Sequence, residues 1–94
     1  MRILWSRRAS AQLEAAYDFV SEENASAAEK QLDIIKRSVE QLANFPEIGG
    51  PGRVHDTREL VIQSTPYIIA YRLKGSIVEI LALLHGARRW PTQL

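Results

Sequence analysis

The sequence predicts an α+β domain in which one antiparallel sheet packs against a hairpin of two helices. Two observations carry this prediction. Apolar side chains recur at helical spacing between residues 9 and 42, whereas residues 67–84 are rich in aromatic and β-branched side chains. The predicted order is strand, helix, helix and then three strands, and the 94 residues suffice for a single domain, 1–94.

A short strand and a helix are predicted at the N-terminal end. Residues 2–5 are expected to add a strand to the edge of the sheet. Ser6 is a predicted N-cap, because its hydroxyl can accept a hydrogen bond from a free amide of the first helical turn. The apolar stripe of the first helix then consists of Ala9, Leu13, Ala16, Tyr17 and Val20.

The second helix is predicted to begin at a capping box. Ser26 and Glu29 are three positions apart, so each side chain can satisfy the backbone amide of the other. The helix should end near Asn44, because Pro46 disfavours helical geometry in the residue before it. An apolar seam that packs on the first helix is formed by Ala28, Leu32, Ile35, Val39 and Leu42.

The C-terminal half reads as a loop followed by a meander of three strands. Residues 47–53 contain three glycines and a proline, which indicates a loop, and Arg53 and His55 lie on it. A short strand precedes the turn at residues 64–66. Two long strands, residues 67–73 and 77–84, are joined by a turn in which Gly75 can take the positive φ that a hairpin needs.

The two long strands carry more apolar surface than one layer of helices can cover. Along the first of them, Tyr67, Ile69, Tyr71 and Leu73 share one face, and Ile68, Ala70 and Arg72 share the other. A helical layer covers a single face of a sheet. We therefore expect the C-terminal tail to cover part of the second face and a partner segment to cover the rest.

Composition narrows the function classes. The absence of cysteine excludes a disulfide framework and favours the cytoplasm, and two histidines without cysteine do not predict a zinc site. No phosphate-binding glycine loop is present and no apolar run approaches a membrane span, so no cofactor, metal or membrane is expected. Residues 1–47 hold six basic and eight acidic side chains (−2), and residues 48–94 hold six and three (+3). This small bias is compatible with an acidic partner for the second half, either nucleic acid or an acidic peptide.

Several short motifs follow one another along nearly the whole chain. They are Ala27-Ala28 in the second helix, LANFPEIG at residues 42–49 with Arg53, TREL at 57–60, YIIAYR at 67–72 and HGARRWP at 85–91. Through them the chain resembles the RelE/ParE superfamily of toxins from bacterial type II toxin–antitoxin systems. The resemblance implies a small cytoplasmic toxin held in a hetero-oligomer by an antitoxin, whose C-terminal segment wraps the toxin and covers its apolar grooves.

The superfamily divides by mechanism. RelE-like members cut messenger RNA in the ribosomal A site, and ParE-like members poison DNA gyrase. RelE-like enzymes typically carry an arginine after the tyrosine that opens the penultimate strand, where this chain has Ile68 after Tyr67. Their C-terminal tyrosine or histidine–tyrosine pair has no clear equivalent here. The resemblance therefore implies gyrase inhibition, with a ribosome-dependent endoribonuclease as the alternative.

Gyrase inhibition and RNA cleavage would depend on different residues of this chain. Arginine and tryptophan dominate binding hot spots, so the predicted target-binding residues are Arg88, Arg89, Trp90 and Arg72. The predicted antitoxin-binding residues are Tyr67, Ile69 and Tyr71. RNA cleavage needs a base and cations, and only His85 with Arg58 and Arg88 could supply them.

Structural interpretations stand beside these functional ones. His85 could be a hydrogen-bonding residue at a strand end, and Trp90 could close the core at the sheet edge. Arg58 and Arg72 could pair with Glu59 or Glu79 across the sheet. A third function class is a degenerate toxin that only binds its antitoxin and helps to repress their operon.

Overall fold

The computed structural model describes all residues, 1–94, and confirms the predicted fold class. Two helices and one five-stranded sheet make up the domain. The elements are β1 (Arg2–Trp5), α1 (Arg7–Ser21), α2 (Ala25–Glu40), a 3-10 turn (Gln41–Ala43), β2 (Gly50–Pro51), β3 (Arg58–Val61), β4 (Tyr67–Lys74) and β5 (Ile77–His85).

The sheet has the order β1-β5-β4-β3-β2, and β3, β4 and β5 form the predicted antiparallel meander. β1 lies at the edge as expected, but it runs parallel to β5, with Arg2 opposite Ile77. The prediction of a wholly antiparallel sheet was therefore wrong at this edge. Strands joined by a tight turn must be antiparallel, whereas two helices separate β1 from the meander and leave its direction free.

The two-residue strand β2 was not predicted. Gly50 pairs with Glu59 and Pro51 pairs with Arg58, which extends the sheet beyond β3. Glycine and proline are both depleted in strands, so a glycine-rich stretch gives no strand signal. Its shortness limits the unpaired edge that the sheet presents to solvent.

The start of α1 agrees with the prediction. The hydroxyl of Ser6 accepts a hydrogen bond from the amide of Ala9 at 3.0 Å. The same hydroxyl donates to the carbonyl of Leu81 at 3.0 Å. Ser6 therefore caps the helix and also ties its first turn to β5.

The start of α2 differs from the prediction. Asn24 is the N-cap, and its side chain accepts from the amide of Ala27 at 3.0 Å. The capping box at Ser26 and Glu29 was wrong, because asparagine is an equally good N-cap and starts the helix two residues earlier. The Glu29 carboxylate instead accepts a hydrogen bond from the Tyr17 hydroxyl at 2.6 Å. The 3-10 turn ends at Ala43, so the predicted end near Asn44 is confirmed.

The core lies between the two helices and one face of the sheet, which we call the helix face. Its buried members are Ala9, Ala16, Ile35, Val39, Leu42, Ile62, Ile69, Tyr71, Val78, Ile80 and Leu83. The Tyr71 hydroxyl donates to the carbonyl of Pro46 at 2.8 Å and accepts from the amide of Gly49 at 2.9 Å. These two bonds hold the loop after α2 against the sheet.

A register shift in β5 decides which residues face the core. Ala70 pairs with Ala82, and the next residue of β4, Tyr71, pairs with Ile80, so Leu81 is left out of the register. Such a bulge shifts the alternation of side chains by one position. As a result, Ile80 and Leu83 both point to the helix face, while Ala82 points to the opposite face.

Candidate functional site

The face of the sheet opposite the helices, which we call the far face, is covered at its centre. Paired residues of a sheet point to the same side. Glu59, Ala70 and Ala82 therefore form one row across β3, β4 and β5 on the far face. Ala70 and Ala82 have no exposed surface, although neither belongs to the core beneath the helices. Another segment must lie over this row.

That segment is the C-terminal tail, residues 86–94. The guanidinium carbon of Arg53 lies 3.7 Å from the centre of the Trp90 ring. Arg53 is bound to Glu59, whose carboxylate accepts from the Arg53 amide at 2.7 Å and lies 3.5 Å from Nε. Because Glu59 belongs to the row of Ala70 and Ala82, the stack of Arg53 on Trp90 is anchored at the β3 end of that row. Trp90 therefore lies on the far-face side of the sheet beside Glu59, where the tail was expected to cover part of the surface.

The four predicted target-binding residues fall into two groups. Arg88 and Arg89 are exposed at the start of the tail. Trp90 is half-buried against Arg53, and Arg72 is engaged with Glu79, the residue directly opposite it on β5. Only the two neighbouring arginines therefore offer free guanidinium groups to a partner.

Of the two arginines that could pair with a glutamate across the sheet, only Arg72 does so. Arg72 pairs with Glu79. Arg58 does not pair with Glu59; its Nη1 donates to the carbonyls of Glu47 at 3.2 Å and Gly49 at 3.0 Å. Arg58 thus reinforces the loop that Tyr71 also holds, since Arg58 binds the carbonyl of Gly49 and Tyr71 binds its amide.

A groove of about 690 Å³ lies between α1 and the end of β5. Phe19 is its most prominent apolar member, with 70% of its surface exposed. The Gln12 side chain closes one wall by accepting a hydrogen bond from the amide of Leu83 at 2.9 Å. The other lining residues are Ala15, Ala16, Val20, Tyr67, Leu84, His85, Arg88 and Arg89. An apolar groove with two arginines at its rim suits an amphipathic segment that carries carboxylates.

The three predicted antitoxin-binding residues are not equally accessible. Tyr67 is half-buried and lines the groove. Ile69 and Tyr71 have no exposed surface and lie under the helices. Phe19 was not among the residues predicted from the sequence. It could have been identified, because it is an aromatic residue of α1 that lies beside the apolar stripe and not on it.

The three residues of the ribonuclease alternative are only partly brought together. His85 is opposite Tyr67 on β4, whereas Arg58 is opposite Tyr71, four residues and about 13 Å farther along the strand. His85 packs edge-on against Tyr67 with ring centres 5.8 Å apart, and its Nδ1 accepts from the amide of Ala87 at 3.2 Å. His85 and Arg88 line the same groove, and Arg58 does not.

No group of three or more histidine, aspartate or glutamate side chains is placed to hold a metal ion. Neither helix combines the length and the apolar character that crossing a membrane requires.

Comparison with known proteins gives concordant results. Residues 3–90 match the family model of the ParE toxin of type II toxin–antitoxin systems. The chain is 39% identical over 93 residues to the candidate toxin Y4kP of Sinorhizobium fredii, covering 99% of this chain and 96% of the relative. It is 32% identical over 87 residues to toxin RelE2 of Caulobacter vibrioides, covering 93% and 97%.

A solved structure shares the fold. It is described as the chromosomal ParDE toxin–antitoxin system from P. aeruginosa, and it matches with a TM-score of 0.73 and 30% identity over 88% of this chain and 92% of that chain. The family model spans both helices, the strands from Ile3 in β1 onward and the start of the tail through Trp90. The chain therefore belongs to the ParE toxin family of type II toxin–antitoxin systems.

Proposed function

We propose that this chain acts in the cytoplasm as a toxin that inhibits DNA gyrase by direct protein–protein contact. The observation that carries the proposal is the pair of exposed arginines, Arg88 and Arg89, next to an apolar groove. Arginine is enriched among the residues that dominate binding energy at interfaces. The placement of His85 and Arg58 in separate rows also supports an action by binding rather than by cleavage.

A cognate antitoxin is the proposed partner that neutralises the toxin. Its segment would lie in the groove between α1 and β5, with apolar side chains against Phe19 and Tyr67 and carboxylates near the two arginines. Opposite charges at the rim of an interface steer association and specify orientation. Antitoxin and gyrase would then compete for Arg88 and Arg89, which explains neutralisation without a change of fold.

A second candidate is ribosome-dependent cleavage of messenger RNA. It is favoured by one observation, which is that His85 and Arg88 line the same groove. In this mechanism His85 would act as the base and Arg88 would stabilise charge on the phosphate. Toxicity that survives His85→Ala would remove the only base available to it.

The test uses purified toxin freed from its antitoxin by denaturation and refolding. The toxin is added to gyrase with relaxed plasmid, and separately to translating ribosomes with a primer-extension readout. Lost supercoiling with trapped double-strand breaks is the expected result, and new cuts in A-site codons with normal supercoiling would establish the second candidate. No effect in either assay, with antitoxin binding retained, would identify a degenerate toxin.

A matched pair of variants locates the contact. The double variant Arg88→Ala, Arg89→Ala should weaken gyrase inhibition by at least about tenfold. The control is the double variant Lys36→Ala, Arg37→Ala, which removes two adjacent, exposed positive charges from α2. Equal inhibition by the two double variants would contradict the assignment of the contact to the tail.

A further inference from the structure

The contact between Trp90 and Arg53 is one part of a larger arrangement of three side chains. The Glu59 carboxylate binds Arg53 through its amide and through Nε. The flat face of the guanidinium is then free to stack on the indole of Trp90, 3.7 Å from the ring centre. Glu59 is largely buried, with 15% of its side chain exposed, so it is a fixed support rather than a mobile surface charge.

The far face next to Glu59 has room for an aromatic ring. The far face is built at this row from two alanines, Ala70 and Ala82, which leave room for a large side chain to approach the strands. The Nε1 atom of Trp90 is buried and has no hydrogen-bond partner. The indole nitrogen is therefore turned toward the protein while the residue as a whole is half-buried, and the ring is held by its stack on Arg53 without a hydrogen bond from the indole.

The segment that carries the two exposed arginines is fixed at both ends. At its start, the amide of Gly86 donates to the carbonyl of Pro66 at 2.9 Å, and the amide of Arg88 donates to the carbonyl of His85 at 3.1 Å. At its end, Trp90 is stacked on Arg53. A binding segment that is ordered before the encounter loses less conformational freedom when the complex forms.

We propose that Arg53 and Glu59 are positioning residues that clamp Trp90 on the far face and thereby hold Arg88 and Arg89 in the orientation that contacts the target. The clamp itself is a property of the free toxin. Its role in inhibition rests on the proposed function, in which the two arginines contact gyrase. Arg53 and Glu59 touch no target in this scheme and act only through the tail.

The clamp is tested first without gyrase, by native-state trypsin cleavage after Arg88 and Arg89 followed by mass spectrometry. Cleavage requires the tail to leave the sheet. Arg53→Met keeps a long side chain but removes the planar charge, and should accelerate release of the tail roughly fivefold to thirtyfold. Glu59→Gln retains an acceptor for the Arg53 amide and should have a smaller effect. The control is Arg37→Met, which removes an arginine paired with Asp33 on the exposed side of α2.

A second substitution at Arg53 distinguishes loss of the stack on Trp90 from misfolding of the domain. Arg53→Lys keeps the positive charge and loses the planar group that stacks on the indole. It should also accelerate cleavage, while the thermal midpoint and the circular dichroism of the domain stay close to those of the parent protein. Tail cleavage at the parental rate in both Arg53 variants would overturn the clamp.

Gyrase inhibition is then measured on the same variants. Loss of preordering should raise the toxin concentration needed for half-inhibition by roughly three- to tenfold in Arg53→Met, with no change in Arg37→Met. Faster tail cleavage with parental inhibition would overturn the positioning role. The double variant Arg88→Ala, Arg89→Ala distinguishes the two failures, because parental inhibition by that variant would show that the proposed function is wrong as well.

Discussion

The backbone amide of Gly49 donates a hydrogen bond to the hydroxyl of Tyr71 over 2.9 Å, at a point where no side chain would fit. A methyl group added at Gly49 would lie 2.6 Å from that hydroxyl oxygen and 2.9 Å from the carbonyl oxygen of Glu59. Contacts this short force one of the two segments to move. The loop after α2 therefore contacts the core residue Tyr71 through the backbone amide of Gly49 and not through a side chain.

Gly49→Ala should lower the free energy of unfolding by about 1–3 kcal/mol, because overpacking displaces the loop from Tyr71. Gly50→Ala is the matched control, since a methyl group there would meet no atom within 4 Å. It should change stability by less than about 0.5 kcal/mol. Urea unfolding of both variants is the measurement, and equal midpoints would contradict the close approach at Gly49.

Tyr71→Phe should also destabilise the domain by about 1–3 kcal/mol, because it leaves the Gly49 amide and the Pro46 carbonyl without their buried partner. The loss should be observed in urea unfolding at neutral pH. Tyr17→Phe provides the comparison, since the hydroxyl of Tyr17 bonds an exposed carboxylate of Glu29. A Tyr71 variant no less stable than the Tyr17 variant would argue against the buried hydrogen bonds.

The same tyrosine predicts an alkaline limit to stability. Burial raises the pKa of Tyr71 above its ordinary value of about 10, and the hydrogen bond from Gly49 partly opposes this rise. The folded state then holds the phenolic proton more tightly than the unfolded state. The free energy that the protonated Tyr71 contributes to folding is fully present below about pH 10. It is lost as the pH rises through the pKa of Tyr71 in the folded state. The stability difference between the parent and Tyr71→Phe should therefore narrow above about pH 10 in unfolding experiments.

The turn between β4 and β5 depends on one glycine. Gly75 has a φ of +61°, which costs an L-residue with a side chain about 1–2 kcal/mol. Gly75→Ala should therefore lower the thermal midpoint. Gly86→Ala, where the added methyl would make ordinary contacts of 3.5 Å to Ile68 and Pro66, should leave it nearly unchanged.

Phe19 tests the groove proposed for the antitoxin. Phe19→Ser should hardly change stability, because 70% of the residue is already exposed, but it should weaken antitoxin binding by about tenfold or more. Phe45→Ser is the control, since Phe45 is 60% exposed and lies outside the groove. Titration of the antitoxin into each refolded variant, followed by calorimetry, measures the affinities. Equal loss in the two variants would place the antitoxin elsewhere.

Elements with a strong local pattern were predictable from the sequence. The stripe of α1, the seam of α2 and the aliphatic run of β5 each repeat within a few residues, and the structure places them as expected. Weaker local signals misled the prediction. Asparagine and serine are nearly equal as N-caps, and the spacing of Ser26 and Glu29 favoured a start two residues later than the N-cap that the structure shows at Asn24. The direction of β1 relative to β5 depends on where the two intervening helices place the chain. The spacing of residues within β1 carries no information on this.

The sequence proposed residues for the candidate site, but it did not predict how they are arranged. Arg88 and Arg89 were identified from residue type, and the Arg72–Glu79 pair was one of the alternatives considered. The partner of Trp90 was not predictable, because Arg53 is 37 positions earlier and the two meet only across the assembled sheet. Ile69 and Tyr71 were assigned to the antitoxin because alternation does not tell which face the helices cover.

The parallel pairing of β1 with β5 also constrains when this toxin can finish folding. Arg2 pairs with Ile77 and Trp5 with Ile80, so one edge of the sheet joins segments 75 positions apart. Contacts of such high sequence separation form slowly, because the loop between them must be closed first. During synthesis β1 is made first but has no partner until residue 80 has been added. The complete sheet, and with it the tail that β5 supports, therefore cannot form before residues 77–80 have been synthesised.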